Sequence, residues 1–386
     1  MGNTEKLNEF FKKAPDPATR AKIDIFKKYF GIYFKLIDQI KNKPNSYASN
    51  KPIKYIDLFS GPGCFMTEEG IEPSTPLYVL ENVAYKNYNN ISFYFNDMSE
   101  EAIDILKNTI VEKYGTRFRC SFFTKDARDV DLDSIIRPND IIISLIDSFS
   151  YLCLEPKWIN KLTANYYSDV VCYFRISNIL EHIGNENERD NHISLLGSEE
   201  KYNTLLKMKS DPNLKQKDRV DYLLKCWIDN INTFGPQKYI LPIFINFSGE
   251  YSKIESVVLI ISKNPLGPHT VLSMLKDVDN FEGRLYSYNG ASIDRSTLLD
   301  FNCDIIKEYI SKCNRWINRE QLIKYINNDF MGKYGYISAF QGKIVNDKLK
   351  KLEESNEIEI MNEHLENKRR KGTFPETIYF KVKWGW

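Results

Sequence analysis

Four aspartates stand where apolar runs end. Asp57 closes IKYID and leads into Leu58-Phe59-Ser60-Gly61-Pro62-Gly63; Asp97 closes ISFYFND; Asp126 follows FRCSFFTK; Asp147 follows DIIISLI. A carboxylate at the end of a buried strand can accept hydrogen bonds from an ammonium or hydroxyl of a ligand, or from the loop that follows it. Two glycines one residue apart let the backbone turn through positive φ and come close to a ligand. Ser60-Gly61-Pro62-Gly63 is therefore either a ligand-binding loop or an ordinary tight turn into a helix. At Asp97 the two oxygens suit the two hydroxyls of a ribose, with a surface helix cap as the plain alternative. Cys64 abuts the glycines, but nothing near it in sequence supplies a base, which disfavours a nucleophile.

Metal chemistry has little to build on. None of the seven cysteines forms a CxxC pair and the four histidines are scattered, so no zinc or iron–sulfur site is expected and the thiols read as the reduced, buried cysteines of a cytoplasmic protein. The first residues, MGNTEKLNEFFKKAPD, contain no signal-peptide run, and Lys6 stands where a myristoylation site wants Ser or Thr. No stretch of about 18 apolar residues suggests a membrane span. The formal net charge is +1, so no global field points to nucleic acid, though a local basic patch is compatible with it. With 386 residues, 24 Tyr and 23 Phe, the chain has ample core for two or three domains.

The elements that must position the acids follow from periodicity. Residues 18–41 place apolar side chains at 23, 26, 30, 33, 37 and 40, a long amphipathic helix. From residue 53 strands and helices alternate: IKYIDLF, helix STPLYVLENVAY, strand ISFYFND, helix EEAIDILKNTIVEKYG, strand FRCSFFTKDA, short helix DLDSIIR, strand DIIISLIDSF, helix PKWINKLTAN and strand SDVVCYFRIS. The residues MTEEGIEPSTP after the glycines are expected to form a loop. Continuously apolar strands point to a parallel sheet covered on both faces. Residues 178–235 are polar and mostly helical, either an insertion over the site or a solvated excursion. KYILPIFINF and ESVVLIIS follow, joined closely enough to be antiparallel neighbours.

Five parallel βα units ending in an antiparallel hairpin resemble the sheet of class I S-adenosylmethionine-dependent methyltransferases; the fold class expected is α/β, Rossmann-like. The missing GxGxxG and the antiparallel ending argue against a nicotinamide oxidoreductase. The resemblance implies S-adenosyl-L-methionine as cofactor, held by Asp57, Ser60, Gly61, Gly63 and Asp97, with Asp126 and the backbone of Ala127 at the adenine, or Asp126 as a simple helix cap. It places Asp147 toward the transferable methyl. Adenine and cytosine amino-methyltransferases carry Asp/Asn-Pro-Pro-Tyr there; this chain has Asp147-Ser148-Phe149-Ser150, with the acid and an aromatic but no proline. Asp147 and Phe149 are the candidate catalytic residues.

More specifically, KIDIFKKYFGIYF, YIDLFSGPG, Pro73-Ser74-Thr75-Pro76 and VVLIISKNPLG at 257–267 resemble the three-Cys-motif partner (TcmP) proteins, a likeness over most of the chain. It implies a methyltransferase-like fold, a C-terminal winged helix and a protein partner carrying a three-cysteine motif like that of radical S-adenosylmethionine enzymes. Ser60 and Ser148 replace the family's usual Ala and Pro.

From about 295 the pattern is three helices, LLDFNCDIIKEYISK, NREQLIKYINNDF and SAFQGKIVNDKLKKLEES, then two strands around LENKRRKGTFP, a winged-helix order. Lys343, Lys348, Lys350 and Lys351 mark the third helix, and Lys368, Arg369, Arg370 and Lys371 the hairpin tip, suited to phosphate contact or to docking a protein. The expected organisation is an N-terminal helical segment over 1–50, a methyltransferase-like domain over 51–290 with the insertion at 178–235, and a winged helix over 295–386. Two functions follow: a methyltransferase acting on nucleic acid, or a cofactor-binding or degenerate partner subunit that docks a three-cysteine protein on nucleic acid, for instance in phage defence.

Overall fold

A computed structural model describes residues 11–386 except 44–45, 47, 86–90, 149–153, 247–253, 265–267, 269–284, 288–304, 339–341, 363–370, 376 and 384–386. Phe149, Lys368, Arg369 and Arg370 lie outside the described residues, as does the side chain of Lys343.

Eight strands form one sheet: β1 (Ile53–Asp57), β4 (Ile91–Asp97), β5 (Arg119–Thr124), β6 (Ile141–Ile146), β7 (Ser168–Phe174), β8 (Tyr239–Asn246), β9 (Ser256–Ser262) and β10 (Leu285–Ser287). Their order is β10-β8-β9-β7-β6-β1-β4-β5. β1 pairs in parallel with both β4 and β6, whereas β9 runs antiparallel between β7 and β8. A single reversed strand inserted second from that end is the Rossmann-like methyltransferase order, extended by β10, which pairs in parallel with β8. The chain leaves β1 toward β4 and β5 and returns to β6, so the strand order switches between β1 and β6. In open α/β sheets a crevice forms beyond the carboxyl ends at such a switch.

Both faces are covered, which is why the strands read as unbroken apolar runs. Alternate residues separate cleanly. Tyr55, Ile141, Ile143, Leu145 and Val171 pack on one face, and Ile56, Ile142, Ile146, Val170 and Cys172 on the other, as a period of two requires. The first face carries helix α1 (Pro17–Lys41), α2 (Thr75–Tyr85) and α3 (Glu100–Tyr114). Phe26, Phe30, Tyr33 and Ile37 of α1, expected on its apolar stripe, are buried there with Tyr29 and Phe34. Asp16 starts the helix by accepting the Thr19 amide at 2.8 Å.

The segment 178–235 is not a solvated excursion. Its helices Arg189–Leu196, Glu199–Ser210 and Gln216–Thr233 place Leu195, Leu196, Tyr202, Leu223, Trp227 and Ile231 in the core of the second face. Their polar appearance comes mainly from outward faces, although His192 and Asn230 are buried. The expected loop after the glycines is instead an antiparallel hairpin, β2 (Cys64–Thr67) with β3 (Gly70–Pro73). Its two-residue Glu68-Glu69 link carries no strong turn signal, so it was not legible.

The C-terminal part has a separate core of Ile306, Tyr309, Leu322, Ile326, Val345, Leu349, Phe374 and Phe380. Its order is helix 305–313, β11 (Ile317–Asn318), helix Arg319–Tyr334, helix Gly342–Glu354, β12 (Ile358–Asn362) and β13 (Ile378–Val382), with the strands paired β11-β13-β12. It is tied to the sheet at 335–337: the Ile337 amide donates to the Ile240 carbonyl at 3.0 Å, and Tyr336 enters the second-face core.

Candidate functional site

Three of the four strand-end acids converge at the switch point. Asp57 and Asp97 end β1 and β4, paired directly with each other's strands, and Asp147 follows β6 on the other side of β1. Asp57 is fully buried. It accepts the Phe59 amide at 3.2 Å and the Tyr55 hydroxyl at 3.1 Å. Burial pushes its carboxyl up to about 7; the two hydrogen bonds oppose this, and the nearby Asp147 and Asp97 add to it.

Asp97 organises the glycine loop. One oxygen accepts the Gly61 amide at 3.0 Å and the other the Ser99 amide at 2.9 Å. Burial raises its pKa while these amides and that of Met98 hold it down. Ser60 reaches the same strand end, its amide donating to the Asn96 carbonyl at 2.9 Å and its hydroxyl at 3.1 Å. Asn96 adds bonds to the Leu58 and Lys125 carbonyls, each at 3.1 Å. Ser99 in turn caps α3. The hairpin β2–β3 does not displace the helix that follows, because the Ser74 amide returns to the Gly63 carbonyl at 2.7 Å.

Both glycines have positive φ, 55° at Gly61 and 73° at Gly63. A Cβ on Gly61 would lie 2.6 Å from the Phe11 ring, and one on Gly63 would strike Leu106. The absence of side chains is thus required by backbone conformation and by protein packing, whatever ligand the loop meets. Phe11 also lies 5.3 Å, centroid to centroid, from Phe65, and Arg20 pairs with Glu72 of the hairpin at 3.1 Å. The N-terminal segment therefore closes one side of the crevice.

Asp147 does not stand alone. Lys22 of α1 reaches it, Nζ lying 2.8 Å from Oδ1 and 2.7 Å from Oδ2. The same ammonium lies 4.8 Å from the Tyr173 ring centroid. Asp126 sits further out: it caps the short turn after β5 and forms a two-oxygen contact with Arg128, at 2.9 Å to Nε and 2.6 Å to Nη2. Those bonds lower its pKa to about 2. The adjoining Ala127 is buried. Cys64 is buried as well, and burial raises its thiol, consistent with a packing residue. Among the described residues no cluster of three or more His, Cys, Asp or Glu could hold a metal, and no helix is long and apolar enough to cross a membrane.

Lys22, Phe11 and Tyr55 were not legible as site residues. Their partners are more than 30 positions away in the first two cases, and Tyr55 reads simply as core. Met98 stands half exposed directly after the buried Asp97, a contrast the sequence does not display.

Of the basic residues in the C-terminal part, Lys371 is exposed in the link between β12 and β13, and Lys350 pairs with Glu354 at 3.8 Å. Lys348 is buried and faces the core rather than solvent. The Gly372 amide donates to Glu353 at 2.9 Å, which ties the hairpin to helix Gly342–Glu354.

No protein-family model matches the chain, and no curated protein matches it. Solved structures of similar shape include a Legionella pneumophila str. Philadelphia 1 protein of the family-model DUF519, 11% identical over 70% of this chain and 94% of that one, TM-score 0.39. Others are the plantazolicin methyltransferase BpumL in complex with SAH, 12% identical over 67% and 90%, TM-score 0.34, and the methyltransferase domain of bacterial CtHen1-C, 11% identical over 61% and 98%, TM-score 0.31. The fold described above rests on strand order and on the reversal of β9, which the chain displays by itself.

Proposed function

We propose that this protein is an S-adenosyl-L-methionine-dependent methyltransferase acting on nucleic acid. The observation that carries the reading is the convergence of Asp57, Asp97 and Asp147 at the switch point, with the Gly61 amide bonded to Asp97. The residues fit the cofactor. A carboxylate has about four acceptor sites, so Asp97, approached by three amides, keeps capacity for a ribose hydroxyl. Asp57 fixes the start of the loop, and Gly61 and Gly63 give it its turn. Met98 offers an apolar surface beside the ribose position. Asp126 and Ala127 are proposed at the adenine edge, and Asp147 and Phe149 at the acceptor.

The nucleic-acid part of the proposal rests on the C-terminal order, three helices and a sheet paired β11-β13-β12, which supports a winged helix. Lys343 and the tip residues Lys368, Arg369, Arg370 and Lys371 are proposed as its phosphate contacts. Titration of the protein with S-adenosylmethionine and S-adenosylhomocysteine (SAH) by calorimetry tests the cofactor; absence of binding to folded protein refutes it. Anisotropy with a labelled oligonucleotide, comparing wild type with a variant carrying Glu at 368–371, tests the polymer. A phosphate-binding tip predicts weaker binding to every sequence and a shallower salt dependence in the variant.

A second reading is favoured by one observation: both oxygens of Asp147 are already bonded within the chain. In that reading the protein is a three-Cys-motif partner-like subunit whose methyltransferase fold docks a three-cysteine protein. Copurification with such a protein, with no methyl incorporation into any polymer, distinguishes it.

A further inference from the structure

The Lys22–Asp147 pair is unusual in position. The carboxylate stands at the end of β6, beside the switch point, and its partner is delivered from a different layer, helix α1. The pair is shielded, with side chains 9% and 18% exposed. An isolated surface ion pair at such a place would contribute little, whereas a shielded one holds its geometry.

The donor and acceptor inventory of the pair is limited. An ammonium has three N–H donors and no acceptor; a carboxylate has only acceptors. Lys22 donates to one oxygen of Asp147 and lies 2.7 Å from the other. That leaves donor capacity on Lys22 and lone pairs on Asp147 side by side. The chain has no proline after Asp147 whose carbonyl would take a second N–H of an acceptor amine; Ser148 follows instead. Recognition of a second atom on the acceptor therefore falls to the neighbouring cation.

We infer that Lys22 and Asp147 together read the amidine edge of a nucleobase, Asp147 accepting an exocyclic amine N–H and Lys22 donating to the adjacent ring nitrogen. This rests on the methyltransferase reading above. Adenine and cytosine both present that edge, with an amine beside a bare ring nitrogen. Guanine carries an amine beside bare N3 as well, but on the edge next to the sugar. Uracil offers a donor beside an acceptor, but its donor is a ring N–H held in the plane of its ring. An exocyclic amine can rehybridise to expose a lone pair to a methyl group, and it keeps a second N–H. Lys22 is on this account a specificity-determining residue.

The test needs no variant at first. Short single-stranded oligonucleotides, as DNA and as RNA, carry at one central position adenine, 1-deazaadenine, purine or uracil, with a parallel cytosine and 3-deazacytosine pair. Binding is measured with SAH at saturation. Loss of the ring nitrogen (1-deazaadenine, 3-deazacytosine) or of the amine (purine) is each expected to weaken binding about tenfold, the effect of one hydrogen bond to a charged group, and uracil should be the weakest. Comparing the adenine and cytosine pairs shows which base is preferred. Lys22→Met should erase the difference between adenine and 1-deazaadenine, and Lys22→Arg, which keeps a donor, should retain part of it. If Lys22→Met does not fold by circular dichroism, Lys22→Met/Asp147→Asn removes both charges, and the wild-type series still decides.

Equal binding of adenine and 1-deazaadenine by wild type overturns the role of Lys22 while the cofactor reading stands. No oligonucleotide binding by the SAH complex also overturns it. Failure of SAH itself to bind refutes the underlying methyltransferase reading, and that outcome is read independently in the same titrations.

Discussion

The amide of Gly61 donates to Oδ2 of Asp97 at 3.0 Å, so the loop after β1 and the end of β4 are one structural unit. On the function proposed above, ligand capture at Asp97 and the shape of the glycine loop are coupled. Asp97→Asn keeps an oxygen for the Gly61 amide but removes the charge and half of the acceptor sites. SAH affinity measured by calorimetry is expected to fall about tenfold or more, and the Ser99 amide, left facing an NH2 group, should cost about 1–3 kcal/mol of stability.

Gly61 is held by two independent demands, positive φ and the Phe11 ring. Gly61→Ala should destabilise by about 1–3 kcal/mol, from left-handed strain and the clash. In the Phe11→Ala background the clash disappears and only the strain remains. A double-mutant cycle by urea denaturation should then show a coupling of about 1 kcal/mol. Strict additivity would mean that Phe11 does not rest on the loop.

Asp57 supplies a pH signature. Its carboxyl titrates at about 7 in the folded protein against about 3.9 in an unfolded chain. Between those values the native state holds a proton that the unfolded state has released, so Asp57 makes stability fall as pH rises through roughly 4 to 7. Asp169, pushed up to about 6 mainly by burial, adds to the same slope at lower pH. Asp57→Asn removes its part of the slope, and urea midpoints from pH 5 to 8 should decline less steeply in the variant.

Docking of the C-terminal part can be probed at Gly335, where φ is 78° and a Cβ would lie 3.0 Å from Ile228. Gly335→Ala should cost about 1–2 kcal/mol. The measurable consequence is faster hydrogen exchange at the Ile337 amide, which bonds to the Ile240 carbonyl. Unchanged exchange would mean that the junction tolerates a side chain.

Strand and helix identity, the doubly covered sheet and the antiparallel β8–β9 neighbours were legible because apolar period and loop length are local properties. IKYID and IIISLI read as strands buried on both faces, and the α1 stripe as a helix. The strand-end positions of Asp57, Asp97 and Asp147 followed from the same runs. What the chain could not display locally were contacts between distant layers: that Lys22 reaches Asp147 across 125 positions, that Phe11 covers Gly61, and that polar-looking helices at 189–233 supply part of one core. Asp126 was nameable as an acceptor, but its bonding to Arg128 depends on a side-chain rotamer. The sequence by itself determined the elements and the acids at their ends, since each follows from neighbours in the chain. Only the tertiary structure decided which acid is paired and which glycine is packed, because α1 and the carboxyl ends of β1, β4 and β6 meet only after the sheet is assembled.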